Sequence, residues 1–122
     1  MILYPETQKQ AQAEIDSFLG DTGDMPSLSH MKNLPYCVAL SKEVMRWMPV
    51  APGAFPHYSD ADDEYKGFHI PKHTLIVPHV WAIHRDPSLY PDPLTFEPGR
   101  FMGKGNNDDS PDALTGGHFG FG

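Results

Sequence analysis

Glu43 and Arg46 form a pair whose residue types and spacing suggest chemistry. They lie three residues apart in the segment KEVMR, and on a helix that spacing places both side chains on one face, where they can form an ion pair. An exposed pair of this kind stabilises a helix by only about 0.2–0.5 kcal/mol. Taken alone, the pair is more typical of a solvated helix surface than of a functional site, so its meaning depends on the segments that accompany it.

Four histidines close together in sequence raise a different possibility, a metal-binding module or a metal-dependent hydrolase. They are His69, His73, His79 and His84. Zinc sites need ligands that converge, for example two histidines four residues apart on one helix. Here His69 and His73 fall on a predicted strand and its turn, so their spacing has no helical meaning. The pattern disfavours a metal site, and we predict no metal ligand in the chain.

Cys37 is the only cysteine of the sequence. A single cysteine excludes an internal disulfide and a zinc site built from several thiolates, and it points to a reducing compartment. Because Cys37 falls on the apolar face of a predicted helix, we interpret it as a small buried hydrophobic residue.

The first half of the chain predicts two amphipathic helices joined by a polar loop. The first lies within residues 1–20, where Pro5 suits a first helical position and Gly20 suits the position after the last turn. The second lies within residues 34–48 and has Pro35 near its start. Its predicted buried face consists of apolar residues at helical spacing: Cys37, Leu40, Val44 and Trp47.

The periodicity changes after the second helix. Residues 50–80 predict a small β region, in which the segments FHI (68–70) and TLIV (74–77) form an antiparallel hairpin across a turn that contains Pro71. Residues 81–122 begin with closely spaced prolines, which exclude a long helix or a central strand and predict an irregular meander of turns. The predicted fold class is α+β, mainly α, with two helices, a small antiparallel hairpin system and a long irregular meander.

Length and charge limit the classes of function. The 122 residues suffice for one domain with a modest core. The formal charge of -7 and the acidic segments DADDE and DDSPD argue against nucleic acid as a partner, because no row of basic residues could neutralise phosphates. No apolar run approaches the roughly 20 residues that cross a bilayer, and the first residues lack the features of a signal peptide.

The order of four segments along the chain indicates a family: KEVMRWMPVAPGAFPH, YKGFHIPKHTLIVPHVWAIHRDP, YPDPLTFEPGRF and HFGFG. Together they resemble the C-terminal part of a cytochrome P450, a haem-thiolate monooxygenase, and most of all the eukaryotic microsomal type, including its fungal members. The segment YPETQKQAQAEID is similar to the helix that precedes the family's Glu-x-x-Arg helix, KEVMR to that helix itself, and FEPGRF to the meander motif. Residues 1–122 are therefore expected to form part of one P450 domain.

The resemblance implies roles for individual residues. It implies a structural triad of Glu43, Arg46 and Arg100 that ties the helix to the meander behind the haem-binding loop. It implies that His57 donates a hydrogen bond to a haem propionate, a task that suits a ring N–H, although a surface histidine is the alternative. The candidate substrate contacts are Val50, Ala51, Ala54 and Phe55, for which simple loop packing is an equally good interpretation.

The last residues resemble the start of the family's cysteine loop, Phe-x-x-Gly-x-Arg-x-Cys-x-Gly. Phe119 and Gly122 match its first and fourth positions, and both are candidate haem-binding residues. The cysteine that binds the haem iron would follow four residues after Gly122, and Cys37 does not replace it. Two positions depart from the family pattern: His73 stands where the IPKG turn usually has glycine, and His79 replaces a polar amide.

The resemblance also implies the activity. A full-length relative would bind haem, insert one oxygen atom from O₂ into a hydrophobic organic substrate, take electrons from an NADPH-dependent reductase and be held in the endoplasmic reticulum membrane. These 122 residues alone lack the axial cysteine, so we expect them to be inactive and to bind haem only loosely. The alternative is a truncated, non-catalytic paralogue that acts as an interaction protein, which shares every motif with the fragment of an enzyme.

Overall fold

The computed structural model describes residues 2–20 and 23–103. Within these ranges, no helix has both the length and the apolar character that crossing a membrane requires. The elements follow in chain order: α1 (Pro5–Leu19), a first 3₁₀ helix (Leu28–Asn33), α2 (Pro35–Trp47), β1 (His57–Tyr58), β2 (Asp63–Tyr65), β3 (Phe68–Ile70), β4 (Leu75–Ile76), α3 (Val80–Ile83) and a second 3₁₀ helix (Pro98–Phe101). The fold is thus mainly helical with small antiparallel sheets, as the sequence predicts.

Both long helices begin and end where their local sequence indicates. Proline occupies the first turn of α1 and of α2, where its missing N–H costs no hydrogen bond. Helix α1 ends at Leu19, and Gly20 follows with a φ of 59°, a left-handed conformation that glycine adopts without the steric cost of a Cβ atom.

The buried face of α2 differs from the predicted one. Its buried residues are Tyr36, Ala39, Leu40, Glu43 and Arg46. Val44, predicted on this face, is 46% exposed, while Cys37 and Trp47 are half-buried. The prediction placed only apolar residues inside, whereas the helix is rotated so that a charged pair is buried. Such a rotation is stable only if both charges find partners.

The core between the two helices is small. Ala11 of α1 packs with Tyr36 and Leu40 of α2, and the half-buried Cys37 and Phe96 lie against them. Phe96 comes from the meander, so this cluster joins three parts of the chain. The meander itself is held to α2 mainly by polar contacts, which form the candidate site.

The predicted hairpin between FHI and TLIV is wrong. Strand β3 pairs with β2, in the register Asp63↔Ile70, Glu64↔His69 and Tyr65↔Phe68, and β4 pairs with β1, in the register His57↔Ile76 and Tyr58↔Leu75. Lys66 and Gly67 close the β2–β3 hairpin with φ values of 52° and 83°, and two such left-handed residues are typical of a two-residue hairpin turn. Sequence patterning missed β2 because its residues, DEY, are acidic and exposed.

His73, which stands where the family pattern usually has glycine, lies in the turn before β4. His73 has a φ of 66°, so this position has the left-handed backbone that favours glycine, at a cost of about 1 kcal/mol for a residue with a side chain. Its amide nonetheless donates to Ser59 O at 2.9 Å, and the amide of Thr74 closes the turn onto Pro71 O at 3.1 Å. The second departure, His79, is exposed and precedes α3, a short helix at the boundary between the predicted β region (50–80) and the predicted meander (81–122).

Large apolar side chains remain exposed over much of the described chain. They include Ile2 and Val50, both 98% exposed, and Phe55 and Phe68, which are 66% and 75% exposed. Exposed apolar surface of this extent marks regions that pack against something else or that aggregate.

We therefore expect the isolated 122-residue chain to bind a hydrophobic dye and to melt without a sharp transition, because its core is small beside the apolar surface that it leaves in water. The measurement is a thermal melt followed by circular dichroism, with dye fluorescence in parallel. A cooperative and reversible melt without dye binding would show that the chain is stable by itself.

Candidate functional site

Glu43 and Arg46 form a fully buried ion pair on α2. Arg46 Nε donates to Glu43 Oε2 at 2.6 Å, and Arg46 Nη2 donates to Glu43 Oε1 at 2.8 Å. Both side chains have no exposed surface. The pair uses the two-pronged geometry that matches a guanidinium to a carboxylate, which a lysine cannot reproduce.

The other donors of Arg46 reach the meander. Nη1 donates to His84 O at 2.9 Å and to Pro93 O at 2.8 Å, and Nη2 donates to Thr95 O at 3.2 Å. Together with the two bonds to Glu43, these contacts use all five N–H donors of the guanidinium. The carbonyl groups that accept them belong to a stretch with no regular secondary structure, so the arginine satisfies backbone groups that would otherwise be buried without partners.

Arg100 binds the same carboxylate through Oε1, the oxygen that also accepts from Arg46 Nη2. Its Nε donates to Glu43 Oε1 at 3.2 Å, while its two terminal nitrogens donate to backbone carbonyl groups. These acceptors are Pro91 O at 3.0 Å, Asp92 O at 3.4 Å and Thr95 O at 3.2 Å. The structure therefore brings together the three residues of the predicted triad, with the two-pronged pairing on Arg46 and a single bond from Arg100.

The second 3₁₀ helix orients Arg100. The carboxylate of Glu97 accepts from Gly99 N at 2.8 Å and so caps this helix, and the amide of Glu97 donates to Glu43 Oε1 at 2.7 Å. A Cβ atom on Gly99 would lie 2.6 Å from Glu97 Oε1. A side chain here would displace the Glu97 carboxylate from this position, so glycine favours the cap, and the cap fixes the start of the segment that carries Arg100.

An aromatic cluster joins the start of the chain, the end of α2 and the meander, and of its members the sequence analysis had singled out only Trp47. Tyr4 stacks on Phe96 with ring centroids 4.6 Å apart, and the Trp47 ring meets both edge to face. Trp47 Nε1 also donates to Leu94 O at 2.9 Å. The helical spacing of Trp47 predicted its burial, but no local pattern predicts the contact of Tyr4 with Phe96, because these residues come from distant segments.

Arg85 is a second residue that sequence reasoning missed. Its guanidinium carbon lies 3.2 Å from the centroid of the Trp81 ring, and Nη2 donates to Trp47 O at 2.8 Å, at the end of α2. Burial, followed by the charge of Arg46, lowers the pKa of Arg85, although an arginine remains protonated. The residue joins the end of α2 to the chain after α3.

His57 lies on β1 and is half-buried. Its Nε2 atom is buried and has no hydrogen-bond partner among the described residues. Buried polar atoms are normally paired, so this atom is suited to an acceptor from a ligand, and a carboxylate is one such group.

The predicted substrate contacts lie together in the turn between α2 and β1. Val50 and Phe55 are exposed, while Ala51 and Ala54 are half-buried. Ala54 N donates to Ala51 O at 3.0 Å, and Ala54 has a φ of 47°. The segment thus presents an apolar surface on a tight turn. Phe119 and Gly122 lie outside the described residues.

Among the described residues, no group of three or more His, Cys, Asp and Glu side chains is arranged to hold a metal ion. Cys37 lies on α2 and faces α1, where its Sγ donates to Ala11 O at 3.6 Å. Burial raises the pKa of Cys37 to about 11, with the hydrogen-bonded Glu14 carboxylate as the second cause. The thiol is therefore held in its protonated form.

Comparison with known proteins assigns the fold to a class. The profile of the family described as Cytochrome P450 matches residues 1–122. A solved structure of a zebrafish cytochrome P450 with abiraterone is similar to 98% of the chain, with a TM-score of 0.79 and 36% sequence identity, and the similar region is 27% of that structure. The chain belongs to the cytochrome P450 family.

The chain is similar to several fungal sequences. Cytochrome P450 monooxygenase anuE of Penicillium roqueforti is 47% identical over 126 residues, which cover 100% of this chain and 26% of the relative. Cytochrome P450 monooxygenase 58 of Postia placenta is 47% identical over 108 residues, which cover 88% of this chain and 20% of the relative. The chain thus spans about a quarter of the length of these monooxygenases.

The unequal use of the two arginines predicts unequal costs of substitution. We define an exchange enzyme as the Penicillium roqueforti relative in which the stretch matching this chain is replaced by these 122 residues. In it, Arg46→Lys should cost about 3–5 kcal/mol of unfolding free energy, because the ammonium keeps the charge but has three donors where five are used, and buried carbonyl acceptors are left unpaired. Arg100→Lys should cost about 1–2 kcal/mol, since this side chain is 12% exposed. Urea unfolding measures both free energies. Equal losses for the two variants would contradict the unequal roles that we assign to the two arginines.

The raised pKa of Cys37 predicts that its thiol reacts slowly with alkylating reagents. At pH 8 about one Cys37 in a thousand should be a thiolate, so alkylation by iodoacetamide should be about two hundredfold slower than for an ordinary thiol. The rate should keep rising about tenfold per pH unit until the pH approaches 11. Peptide mass spectrometry of Cys37 in the exchange enzyme measures this, with urea-unfolded protein as the control. A plateau near pH 9 would contradict the protected environment.

Proposed function

We propose that this chain is the part of a haem-thiolate monooxygenase that supports the haem-binding loop. The observation that carries the proposal is the buried Glu43 carboxylate, which accepts from Arg46, from Arg100 and from the amide of Glu97. This network joins α2 to the meander in a chain whose whole length matches the P450 family. In our proposal Glu43, Arg46 and Arg100 have a structural role: they hold the meander in place and do not react.

The residues present fit a haem group at one testable point. The buried Nε2 of His57 has no partner among the described residues, and a haem propionate would be a suitable acceptor for its N–H. Phe119 and Gly122, by their match to the cysteine loop, are proposed to contribute to the haem-binding loop. When bound through a cysteine thiolate, haem supplies the activation of O₂.

The protein's own residues would then orient the reactants. Val50, Ala51, Ala54 and Phe55 are proposed to contact the substrate, and the exposed apolar surface of Val50 and Phe55 suits a hydrophobic organic molecule. The proposed reaction of the whole enzyme inserts one oxygen atom from O₂ into that substrate. As in the family, the proposed electron donor is an NADPH-dependent reductase and the proposed location is the endoplasmic reticulum membrane.

The 122 residues alone are proposed to be inactive. Their single cysteine, Cys37, lies on α2, and its thiol donates to the backbone carbonyl of Ala11 on α1. A thiol in this contact between two helices is not placed to bind iron. A histidine could still bind haem loosely. The isolated chain and the exchange enzyme should therefore differ in the ligand that reaches the iron.

The carbon monoxide difference spectrum of the reduced, haem-loaded proteins tests this proposal. The exchange enzyme should show a thiolate-type band, and the isolated chain a histidine-type or featureless spectrum. His57→Phe should weaken haem retention in the exchange enzyme, while His57→Arg should keep it, because both His and Arg can donate to a carboxylate. His69→Phe, at an exposed position, is the matched control.

Two results would overturn the proposal. A thiolate-type band from the isolated chain would mean that Cys37 reaches the iron. An exchange enzyme that folds but does not bind haem through a thiolate would mean that this chain cannot provide the scaffold of the haem-binding loop.

A further inference from the structure

The N-terminus of α2 is capped by a residue from another helix. The first backbone N–H groups of a helix have no partner within the helix, and in α2 each can be accounted for. Leu34 N donates to Met31 O at 3.2 Å, Pro35 has no N–H, and Val38 N begins the helical pattern by donating to Leu34 O at 3.1 Å. The two groups that remain, on Tyr36 and Cys37, both donate to the carboxylate of Glu14 on α1.

The geometry of this cap restrains α2 in two directions. Tyr36 N lies 2.8 Å from Glu14 Oε1, and Cys37 N lies 2.8 Å from Glu14 Oε2. Since each oxygen holds a different amide, the planar carboxylate restrains the rotation of α2 about its axis as well as its position along that axis. A single acceptor oxygen would restrain only a distance.

No local residue of α2 can take over this function. Its N-cap residue, Leu34, makes no side-chain hydrogen bond to the helix, and the first turn contains no acidic residue. The Glu14 carboxylate, which accepts from these amides, therefore places a negative charge at the positive end of the helix dipole. The same contact also joins the two helices, because the backbone carbonyl of Ala11, one turn before Glu14, accepts from the Cys37 thiol.

The opposite end of α2 needs accurate placement. Glu43 follows Cys37 by six residues, which corresponds to about 9 Å along the helix. There its Oε1 atom accepts from Glu97 N at 2.7 Å and from Arg100 Nε at 3.2 Å. A hydrogen bond already at 3.2 Å is lost when it lengthens by a few tenths of an ångström, so a small slip or rotation of α2 would separate Glu43 from Arg100.

We propose that Glu14 is a positioning residue for the Glu43–Arg46–Arg100 network, and that it acts by fixing the rotation and axial position of α2 from α1. It touches none of the three residues of the network. Its link to the haem-binding loop rests on the proposed function, whereas its effect on the network does not.

Hydrogen exchange in the exchange enzyme tests the effect on the network. Glu14→Gln keeps the side-chain shape but leaves one carbonyl acceptor and no charge. Exchange of the Tyr36 and Cys37 amides should rise at least tenfold, and exchange of the Glu97 amide, at the far end of α2, should rise with it. The amides of the β2–β3 hairpin should not change. Glu6→Gln, which removes an exposed acid on the same helix that pairs with Lys9 at 3.0 Å, is the matched control and should change none of them.

A second substitution separates positioning from helix stabilisation. Pro35 is exposed at the first position of α2, and Pro35→Asp places a negative charge at the helix end without any link to α1. In the double variant with Glu14→Gln, Pro35→Asp should slow hydrogen exchange of the Tyr36 and Cys37 amides again. Hydrogen exchange of the Glu97 amide should remain fast. If it also restores the Glu97 amide, or if Glu14→Gln alone never affects that amide, Glu14 is only a cap and the proposal is overturned.

The haem spectrum gives an independent readout. Glu14→Gln should reduce the thiolate-type fraction of the carbon monoxide spectrum, and Pro35→Asp should not restore it. Should Glu14→Gln fail to fold, Glu14→Asp keeps the charge on a shorter side chain and should give the same changes to a smaller degree; an unchanged Glu97 amide would then overturn the proposal. If the unsubstituted exchange enzyme lacks a thiolate band, the proposed function fails while the amide exchange still decides the role of Glu14.

Discussion

The fully buried carboxylate of Glu43 is the constraint on which the rest of this structure depends. A buried charge without partners would cost several kcal/mol, so the fold must bring it enough hydrogen-bond donors. Arg46, Arg100 and the amide of Glu97 provide them. Two arginines on one carboxylate leave a surplus positive charge, and the backbone carbonyl oxygens that accept from both guanidinium groups compensate for it. The meander is thus held by charge rather than by a large apolar core.

This arrangement explains how a stretch rich in proline can have a defined shape. Residues between α3 and the second 3₁₀ helix form neither a helix nor a sheet, so their carbonyl groups need partners from elsewhere. Arg46 and Arg100 donate to Pro91, Pro93 and Thr95 among others. Trp47 and Arg85 add further bonds between α2 and the same part of the chain. These side-chain donors therefore give the stretch a defined shape without regular secondary structure.

The α1–α2 contact follows the same physical logic at the other end of the helix. Glu14 reaches across to the N–H groups of Tyr36 and Cys37, so both ends of α2 are fixed by carboxylates that accept from backbone amides. One carboxylate, Glu14, belongs to a neighbouring helix and the other, Glu43, belongs to α2 itself. Between them the helix contributes only a small apolar cluster around Leu40, which is why its position depends so strongly on polar contacts.

The sequence by itself determined the features that depend on local chemistry or on the order of motifs. Prolines at the helix starts and Gly20 after α1 marked the two long helices, because capping and φ preferences act within a few residues. The order of the motifs indicated the family, and the matching of FEPGRF paired Arg100 with Glu43.

Only the tertiary structure decided which face of α2 is buried, which strands pair and what caps α2. Periodicity assigns charged residues to the outside, so it could not foresee that Glu43 and Arg46 satisfy each other inside. Likewise β2 is acidic and exposed, and its pairing depends on a turn geometry at Lys66 and Gly67 that hydrophobic patterning does not register. Glu14 and Tyr36 lie 22 residues apart, and contacts over such distances are set by how the helices pack, which no local pattern records.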